Sequence, residues 1–139
     1  MELQVGVKVL LKNREGKFLL IRRSPKKYPE VGPRWDIVGG RINPGTELME
    51  NLKREVKEET GLDLKKKPEL VAAQDILRVP GRHVIRLTHI GDIEGEPKID
   101  EESLESGWFT MDQIKQMKDE EIDIYFKELL NNGLFEKFI

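Results

Sequence analysis

Residues 40–62 read GRINPGTELMENLKREVKEETGL. From Thr46 onward, apolar residues recur at steps of three and four, the spacing of one helix face: Met49, Leu52 and Val56. Thr46 follows a Pro-Gly turn, and a threonine hydroxyl at such a position accepts a hydrogen bond from an early helix N–H group. The stretch therefore predicts an amphipathic helix with Thr46 as its N-cap and Gly61 as its C-terminal stop.

Three glutamates of this helix, Glu55, Glu58 and Glu59, fall within an arc of roughly 100°. Carboxylates that face one region raise one another's pKa, and their repulsion costs stability unless cations sit there. Hard oxygen ligands of this kind suit Mg²⁺ or Mn²⁺. On spacing alone, a solvated face is an equally good interpretation, because Lys53 and Lys57 can pair with nearby glutamates.

The predicted turn before the helix, residues 39–45, is rich in glycine. Gly39, Gly40 and Gly45 allow another group to approach the backbone closely. The first N–H groups of the helix are then available to an anion. A glycine turn that enters a helix is common, so this feature alone is weak support for a binding site.

The bulk properties narrow the class of protein. A length of 139 residues fits one domain, and a net charge of −2 lacks the basic footprint of a dedicated nucleic-acid binder. The absence of cysteine excludes disulfides and thiolate chemistry, while His83 and His89 are too few for a zinc site by themselves. No apolar run is long enough to span a bilayer. We expect a cytoplasmic protein with neither nucleic acid nor membrane as a partner.

Periodicity along the rest of the chain predicts an α+β or α/β pattern. Strands are expected at residues 5–10, 17–23, 35–38, 69–78, 82–91 and 108–109, with a hairpin turn at residues 13–16. Two closing helices are expected at residues 111–117 and 122–130, and a proline-rich loop at residues 24–34. Hairpin pairs indicate a mixed sheet rather than an all-parallel one.

The helical stretch resembles the Nudix box, G-x5-E-x7-R-E-U-x-E-E-x-G-U, in which U is an aliphatic residue. The positions that match at the right intervals are Gly40, Arg54, Glu55, Val56, Glu58, Glu59, Gly61 and Leu62. The strand before the box and the late segment Gly107-Trp108-Phe109-Thr110 are also similar to the family. One position departs: the first glutamate of the box falls on Thr46, and in related proteins that glutamate usually supports the metal site.

The resemblance implies one Nudix domain over residues 1–139, folded as an α/β/α sandwich with a central mixed sheet. It implies a hydrolase that uses Mg²⁺ or Mn²⁺ to cut the diphosphate linkage of a nucleoside diphosphate derivative. A MutT-like nucleoside triphosphate pyrophosphatase and a non-catalytic nucleotide-sensing module stay open as alternatives. The proline that ADP-ribose hydrolases often carry after the box is replaced here by Leu77, which does not exclude that class. Many relatives dimerise, so a homodimer is also left open.

Roles for individual residues follow from the same resemblance. Glu55, Glu58 and Glu59 become metal ligands, with a carbonyl of Gly39 or Gly40 as a further ligand. Arg54 is expected to orient the neighbouring glutamates through charge-assisted hydrogen bonds. Glu105 is the first candidate for a catalytic carboxylate outside the box, ahead of its rivals in the same loop, Glu101 and Glu102.

Basic and aromatic residues outside the box are candidates for binding substrate. Arg23 and Arg34 are the foremost candidates for the phosphates, followed by Arg41 and the other upstream cations: Arg22, Lys26 and Lys27. Three arginines further along are weaker candidates: Arg78, Arg82 and Arg86. Three aromatic residues offer a surface for stacking a base, although core packing is their commoner role: Trp35, Tyr28 and Phe109. His89 is expected to be an interior histidine.

Overall fold

The computed structural model describes residues 1–23, 33–99 and 103–139, with only the backbone at residues 103 and 104. The strands are β1 (Glu2–Lys12), β2 (Phe18–Arg23), β3 (Trp35–Asp36), β4 (Val38–Arg41), β5 (Glu69–Ile76), β6 (Arg82–Asp92) and β7 (Ser103–Phe109). The helices are α1 (Leu48–Thr60), α2 (Met111–Lys115) and α3 (Ile124–Asn131), followed by a short 3₁₀ helix (Glu136–Phe138).

The strands form one mixed sheet with β1 at its centre, in the order β3-β2-β1-β6-β5. β1 runs parallel to β6 along its whole length, from Glu2 opposite Arg82 to Lys12 opposite Asp92. The other strand pairs are antiparallel, as in the hairpin of β5 and β6. The prediction of a mixed sheet is therefore confirmed.

The second edge of β1 is divided between two strands. β4 pairs with residues 6–9 of β1, so that Gly40 lies opposite Val7 and Gly39 lies opposite Lys8. β2 pairs with β1 only at Leu11 and Lys12, and it pairs with β7 along its length. This division brings the backbone of β4 beside the middle of β1, where the functional site is built.

Helices cover both faces of the sheet, which confirms the α/β/α sandwich. One core joins Leu52 and Val56 of α1 to alternate residues of β1 such as Val7 and Val9. The other core joins Leu10 to residues of α2 and α3, among them Ile114, Phe126 and Leu129. Because β1 is covered on both sides, its middle is almost continuously apolar instead of alternating.

The helix begins later than the sequence predicts. α1 starts at Leu48, its N-cap position is Glu47, and no side chain caps it. The prediction of Thr46 as the N-cap is therefore wrong. Thr46 belongs to the preceding turn, where its backbone N–H donates to the carbonyl of Asn43 at 3.1 Å. The C-terminal stop is confirmed, since Gly61 takes a φ of 74° there.

Smaller differences concern the bounds of other elements. Gly39 and Gly40 lie in β4 and not in a turn, because β1 supplies the hydrogen-bonding partners of an edge strand. β7 is longer than expected because it pairs with β2 over residues 103–109. The closing helices are shorter than predicted, and part of the predicted loop over residues 24–34 lies outside the described residues.

Candidate active site

A cavity of about 770 Å³ opens beside β4, between the second half of α1 and the hairpin of β5 and β6. Its lining is rich in charge: among the described residues, seven lining side chains are lysine or arginine and three are carboxylates. The carboxylates are Asp36, Glu55 and Glu58. A concave surface with this excess of cations is suited to an anionic ligand.

Gly40 and Glu55 bring strand and helix into contact at the cavity wall. A Cβ atom at Gly40 would lie 2.6 Å from Oε2 of Glu55, so only glycine leaves this carboxylate where it is. Burial raises the pKa of Glu55, while Arg54 lowers it and Glu58 raises it further. Glu55 is thus a half-buried carboxylate whose charged form gains from an added cation.

Arg54 lies between the two glutamates that face the cavity. Its guanidinium donates to Glu55 at 2.8 Å and lies 3.6 Å from Glu58. A second nitrogen donates to the amide oxygen of Asn51 at 3.0 Å and to the carbonyl of Arg41 at 3.3 Å. Arg54 therefore links the helix to the end of β4 and restricts where the Glu55 carboxylate points.

Glu59 occupies a different environment from its two neighbours. It is 2% exposed, forms an ion pair with Arg23, and accepts a hydrogen bond from the backbone N–H of Gly39 at 2.8 Å. Arg23 also donates to the carbonyl of Gly39 at 3.1 Å. Burial raises the pKa of Glu59 to about 7, against the lowering effects of Arg23 and Lys8. The pair fastens α1 to β2 and β4 at the edge of the cavity.

Asn51 is a structural residue that sequence reasoning missed. It is fully buried, and its amide nitrogen donates to the carbonyls of Thr46 and Glu47 at 2.9 and 2.7 Å. Its amide oxygen accepts from the N–H of Asn43 at 2.8 Å as well as from Arg54. One side chain thus fastens the turn before α1 to the helix. The available signal was an asparagine inside a helical stretch, close to the apolar stripe.

Lys8 and Asp36 form a buried pair that was also missed. The Lys8 Nζ atom lies 2.9 Å from the Asp36 carboxylate and donates to the carbonyl of Ile37 at 3.1 Å. Burial lowers the pKa of Lys8, and Asp36 opposes that effect. The signal for it was a lysine in the middle of an otherwise apolar strand, since a buried charge requires a partner.

The opposite wall of the cavity comes from β5, β6 and the turn between them, and the start of α3 packs against two of its arginines. Arg86 is buried and forms an ion pair with Asp123 at 2.7 Å. Arg78 lies 4.0 Å from the same carboxylate, and both guanidinium groups lie over the ring of Tyr125. The three weaker arginine candidates, Arg78, Arg82 and Arg86, all line the cavity.

Of the foremost substrate-binding candidates, only some lie at the cavity. Arg23 and Arg41 line it, with Arg23 engaged by Glu59. Arg34 instead donates to the backbone carbonyl of Asp119 at 3.0 Å and is not among the lining residues. Trp35 packs edge-on against Phe109, with ring centroids 4.9 Å apart, next to the α2–α3 core.

Glu105 lies on β7 and is separate from the glutamates of α1. Its carboxylate pairs with Arg22 at 2.5 Å, and Glu105 does not line the cavity in the described part of the chain. The remaining candidates, Lys26, Lys27, Tyr28, Glu101 and Glu102, lie outside the described residues.

The residues present fit a hydrated divalent cation better than a dedicated protein cage. Among the described residues, no three histidine, aspartate or glutamate side chains converge as ligands of one ion. Glu55 and Glu58 do face the same cavity beside Gly40. Mg²⁺ is typically held by one or two carboxylates, several waters and substrate phosphates. Two carboxylates beside a cationic cavity match that donor set.

With helices on both faces of a mixed sheet, the chain is an α/β/α sandwich protein. Residues 2–130 match the family model described as NUDIX domain, so the chain belongs to the Nudix family. None of the helices in the described part of the chain has the length and apolar content needed to cross a membrane.

The chain is also similar to individual members of the family. It is similar to an ADP-ribose pyrophosphatase of Methanocaldococcus jannaschii, with 34% identity over 105 residues, covering 75% of this chain and 60% of that protein. A MutT protein of Methanosarcina mazei has a TM-score of 0.81 and 29% identity, over 98% of this chain and 92% of that one. A MutT Nudix hydrolase of Burkholderia pseudomallei has a TM-score of 0.68 and 26% identity, over 81% and 86% of the two chains.

Proposed function

We propose that this chain is a divalent-metal-dependent hydrolase of a diphosphate linkage in a nucleoside diphosphate derivative. The observation that carries the proposal is the pair Glu55 and Glu58 at the wall of a cavity in which cations outnumber carboxylates. The similarity to an ADP-ribose pyrophosphatase and to MutT proteins supports the same reaction class. Mg²⁺ or Mn²⁺ bound there would neutralise phosphate charge and supply a water of lowered pKa.

The reaction is a substitution at phosphorus. The oxygen of a water molecule bonds to one phosphorus atom, and the bond from that phosphorus to the bridging oxygen breaks. Whichever phosphorus is attacked, two phosphate monoesters form, a nucleoside monophosphate and the phosphate of the attached group, and the water's protons pass to nearby bases or solvent. Such chemistry depends mainly on positioning and charge neutralisation, so most of the protein's contribution is geometric.

The chain's own residues have distinct roles in this proposal. Glu55 and Glu58 hold the cation, and Arg54 fixes the direction of Glu55 through its 2.8 Å hydrogen bond. Gly40 leaves room for that carboxylate. Glu59, although expected as a ligand from the sequence, is engaged by Arg23 and Gly39, so in this state it positions β4. Arg86 and the neighbouring arginines of the opposite wall attract the phosphates.

Hydrolysis of nucleoside triphosphates is the second candidate function. The observation in its favour is the similarity to the MutT protein of Methanosarcina mazei over almost the full length of both chains. A nucleotide-sensing module without turnover is the third. The cytoplasmic location and the homodimer stay predictions.

The decisive experiment is a screen of the purified chain against ADP-ribose, ADP-glucose and ATP with Mg²⁺, Mn²⁺ or excess chelator. Chromatography identifies both products of each reaction. We expect metal-dependent release of AMP from at least one of the three substrates. Glu55→Gln and Glu58→Gln should lower kcat by several orders of magnitude. Glu50→Gln is the matched control, because Glu50 lies on the same helix with its side chain 62% exposed.

A readout besides turnover separates a lost metal site from a lost fold. Mg²⁺ should raise the Tm of the parent, because a ligand that binds only the native state stabilises it. The increase should be smaller in Glu55→Gln and Glu58→Gln and unchanged in Glu50→Gln. Full turnover in chelator, or equal losses in all three variants, would contradict the proposed mechanism. Binding without turnover of any nucleotide would favour the sensing module.

A further inference from the structure

Asp36 is the one carboxylate among the described lining residues of the cavity that α1 does not supply. It ends β3 and is 7% exposed. Burial raises the pKa of Asp36, but the charges of Lys8, Arg86 and Arg23 outweigh burial and hold the pKa below its ordinary value. All three cations line the cavity together with Asp36. Asp36 is therefore a negative charge placed among cations that suit an anionic ligand.

Lys8 is the cation in contact with this carboxylate. Its Nζ atom lies 2.9 Å from Oδ2 of Asp36 and also donates to the carbonyl of Ile37 at 3.1 Å. The other oxygen of Asp36, Oδ1, accepts a hydrogen bond from the backbone N–H of Ile37 at 2.7 Å. Among the described residues, no second cation forms an ion pair with Asp36. Both oxygens of Asp36 are thus engaged without the use of an arginine.

Arg86 lies between two carboxylates and is bonded to only one of them. Its Nη1 atom donates to Asp123 at 2.7 Å. Burial lowers the pKa of Arg86, and Asp123 followed by Asp36 raises it above its ordinary value. Asp123 does not line the cavity in the described part of the chain, whereas Arg86 does. A guanidinium carries five N–H donors, so Arg86 has donors left for a ligand.

The charge of Lys8 decides where the Asp36 carboxylate finds its counter-charge. A buried carboxylate that loses its partner is costly, and it draws on the nearest remaining cation. After Lys8, Arg86 exerts the largest of the charge effects on Asp36. If Arg86 turns to Asp36, it has fewer donors for a ligand, and an unpaired Asp36 repels an anion directly. Both effects weaken the binding of an anion, and neither acts on Glu55 or Glu58.

Direct contact between Lys8 and the ligand is the competing explanation. An ammonium group has three donors, and Lys8 uses two of them for Asp36 and Ile37. Among the described residues, Arg86 uses one of its five for Asp123. The protein therefore engages most of the donors of Lys8 and leaves most of those of Arg86 available. This difference favours Arg86 as the group that contacts the ligand and Lys8 as its support.

We propose that Lys8 is a positioning residue for substrate binding: it neutralises Asp36 and thereby keeps Arg86 available to the anionic substrate. The inference rests on the proposed function, because it takes the ligand of the cavity to be a diphosphate. It assigns Lys8 to the binding of the substrate and not to the hydrolytic step. The role depends on Asp36, so removal of the carboxylate charge makes the lysine charge unnecessary.

The experiment measures how tightly inorganic pyrophosphate binds, by titration calorimetry in metal-free buffer. Lys8→Met should weaken binding by about tenfold, the size of one lost charge-assisted hydrogen bond. Asp36→Asn should bind at least as tightly as the parent. The double variant Lys8→Met/Asp36→Asn should return to within about threefold of the parent, because the two charges are removed together.

Lys12→Met is the matched control, since Lys12 lies on the same strand and does not line the cavity. It removes the same charge from the chain and should bind pyrophosphate like the parent. Thermal melts establish which variants are folded. Loss of a buried partner lowers the Tm of Lys8→Met, and removal of both charges restores it. If Lys8→Met does not fold, the double variant decides the matter through its affinity for pyrophosphate.

A second readout is the division of the effect between KM and kcat. With Mg²⁺ and the substrate found in the screen, Lys8→Met should raise KM by about tenfold and change kcat by less than about threefold, because Glu55 and Glu58 are unaltered. A variant that merely loosens the fold has no reason to recover its KM when Asp36 becomes asparagine. The double variant should recover it.

The outcomes separate this inference from the proposed function. A double variant that binds pyrophosphate as weakly as Lys8→Met overturns the inference, since Lys8 then contacts the ligand itself or only supports the strands. Parent-like affinity in Lys8→Met, or no measurable binding by the parent, also overturns it. Affinities that follow the predicted pattern without hydrolysis in Mg²⁺ or Mn²⁺ support the inference and contradict the proposed function.

Discussion

Gly39 and Gly40 are adjacent in the chain, but a side chain is excluded at the two positions for different reasons. A Cβ atom at Gly39 would lie 2.0 Å from the backbone oxygen of Val7, and the residue has a φ of 149°. The three atoms nearest to a Cβ atom at Gly40 would all belong to the carboxylate end of Glu55, at 2.6 to 2.8 Å. A backbone oxygen in a paired strand cannot move aside, whereas the end of a glutamate side chain can.

We therefore predict opposite phenotypes for the two alanine variants. Gly39→Ala should lower the free energy of unfolding by about 3 kcal/mol or more, through strain and backbone overlap. Gly40→Ala should unfold near the parent's midpoint but lose most of its turnover, because the Glu55 carboxylate is displaced. Urea unfolding and steady-state kinetics measure the two effects.

Gly6→Ala is the control for this comparison. A Cβ atom there would have its nearest neighbours at 3.7 Å, an ordinary contact distance, and its φ is not positive. Its free energy of unfolding should match or exceed that of the parent. A Gly40→Ala variant as unstable as Gly39→Ala would show that Glu55 is held more rigidly than its contacts indicate.

At the scale of single residues, the sequence predicted which side chains meet better than it predicted what each does. Glu55 and Glu58 share a cavity wall as their spacing indicated, but Glu59 is buried against Arg23. Helical periodicity gives the angle of a side chain around its own helix and carries no information about the strand packed beside it. Lys8 and Asp36 were missed for a related reason, since they are 28 residues apart and meet only through the sheet.

At the scale of elements, the start of α1 is the feature that the sequence misplaced. The Pro-Gly turn and the following threonine have the composition of a capped helix, but the side chain that organises this start is Asn51 inside the helix. An asparagine that reaches back to the carbonyls of the turn uses hydrogen bonds that no local N-cap pattern reveals. Gly61, whose role depends only on its own backbone, was placed correctly.

This arrangement predicts which substitution destabilises the helix start. Asn51→Ala leaves several buried polar groups without partners and should lower the free energy of unfolding by roughly 2–3 kcal/mol. Thr46→Ala should change it by no more than about 0.5 kcal/mol, since the Thr46 side chain is exposed and caps nothing. Denaturant unfolding of the two variants decides the matter. A larger loss in Thr46→Ala than in Asn51→Ala would restore the capping hypothesis.

At the scale of the whole molecule, the order of strands and helices around the Nudix box could be predicted from the sequence. The mixed sheet, the paired strands β5 and β6 and the closing helices all follow from local periodicity. The cationic wall did not follow, because Arg86 and Asp123 come from distant segments and meet only when α3 packs near β6. The three arginines that the sequence made the weaker candidates for binding phosphate, Arg78, Arg82 and Arg86, line the cavity, whereas Arg34 does not.

The folded molecule also buries His89, which links its overall stability to pH. His89 is 3% exposed on β6, and its Nδ1 atom donates to the carbonyl of Lys8 at 3.1 Å. Burial lowers the pKa of His89 below its ordinary value of 6.5, against the opposing effect of its backbone hydrogen bonds. The native state therefore keeps this imidazole neutral at pH values at which the unfolded chain already binds a proton.

The sign of the effect follows from that difference in proton binding. Below pH 6.5 the unfolded chain binds more protons than the native state at this residue, so stability falls as the pH falls. The slope from one such group is at most about 1.4 kcal/mol per pH unit. Stability due to neutral His89 is fully present above pH 6.5 and declines as the pH falls toward the depressed native pKa.

We predict that His89→Gln flattens this part of the stability profile, because an amide can donate a hydrogen bond and does not titrate. Urea unfolding is measured from pH 7.5 to pH 5 in steps of about half a pH unit. Excess chelator removes any contribution of metal binding to the dependence of the unfolding free energy on pH. His83→Gln is the matched control, since His83 is less buried than His89 and pairs with Asp75 near the start of β6. If His89→Gln and the parent lose stability at the same rate, the native state accepts a proton on His89 as readily as the unfolded chain, and the burial of this residue does not control the acid stability of the fold.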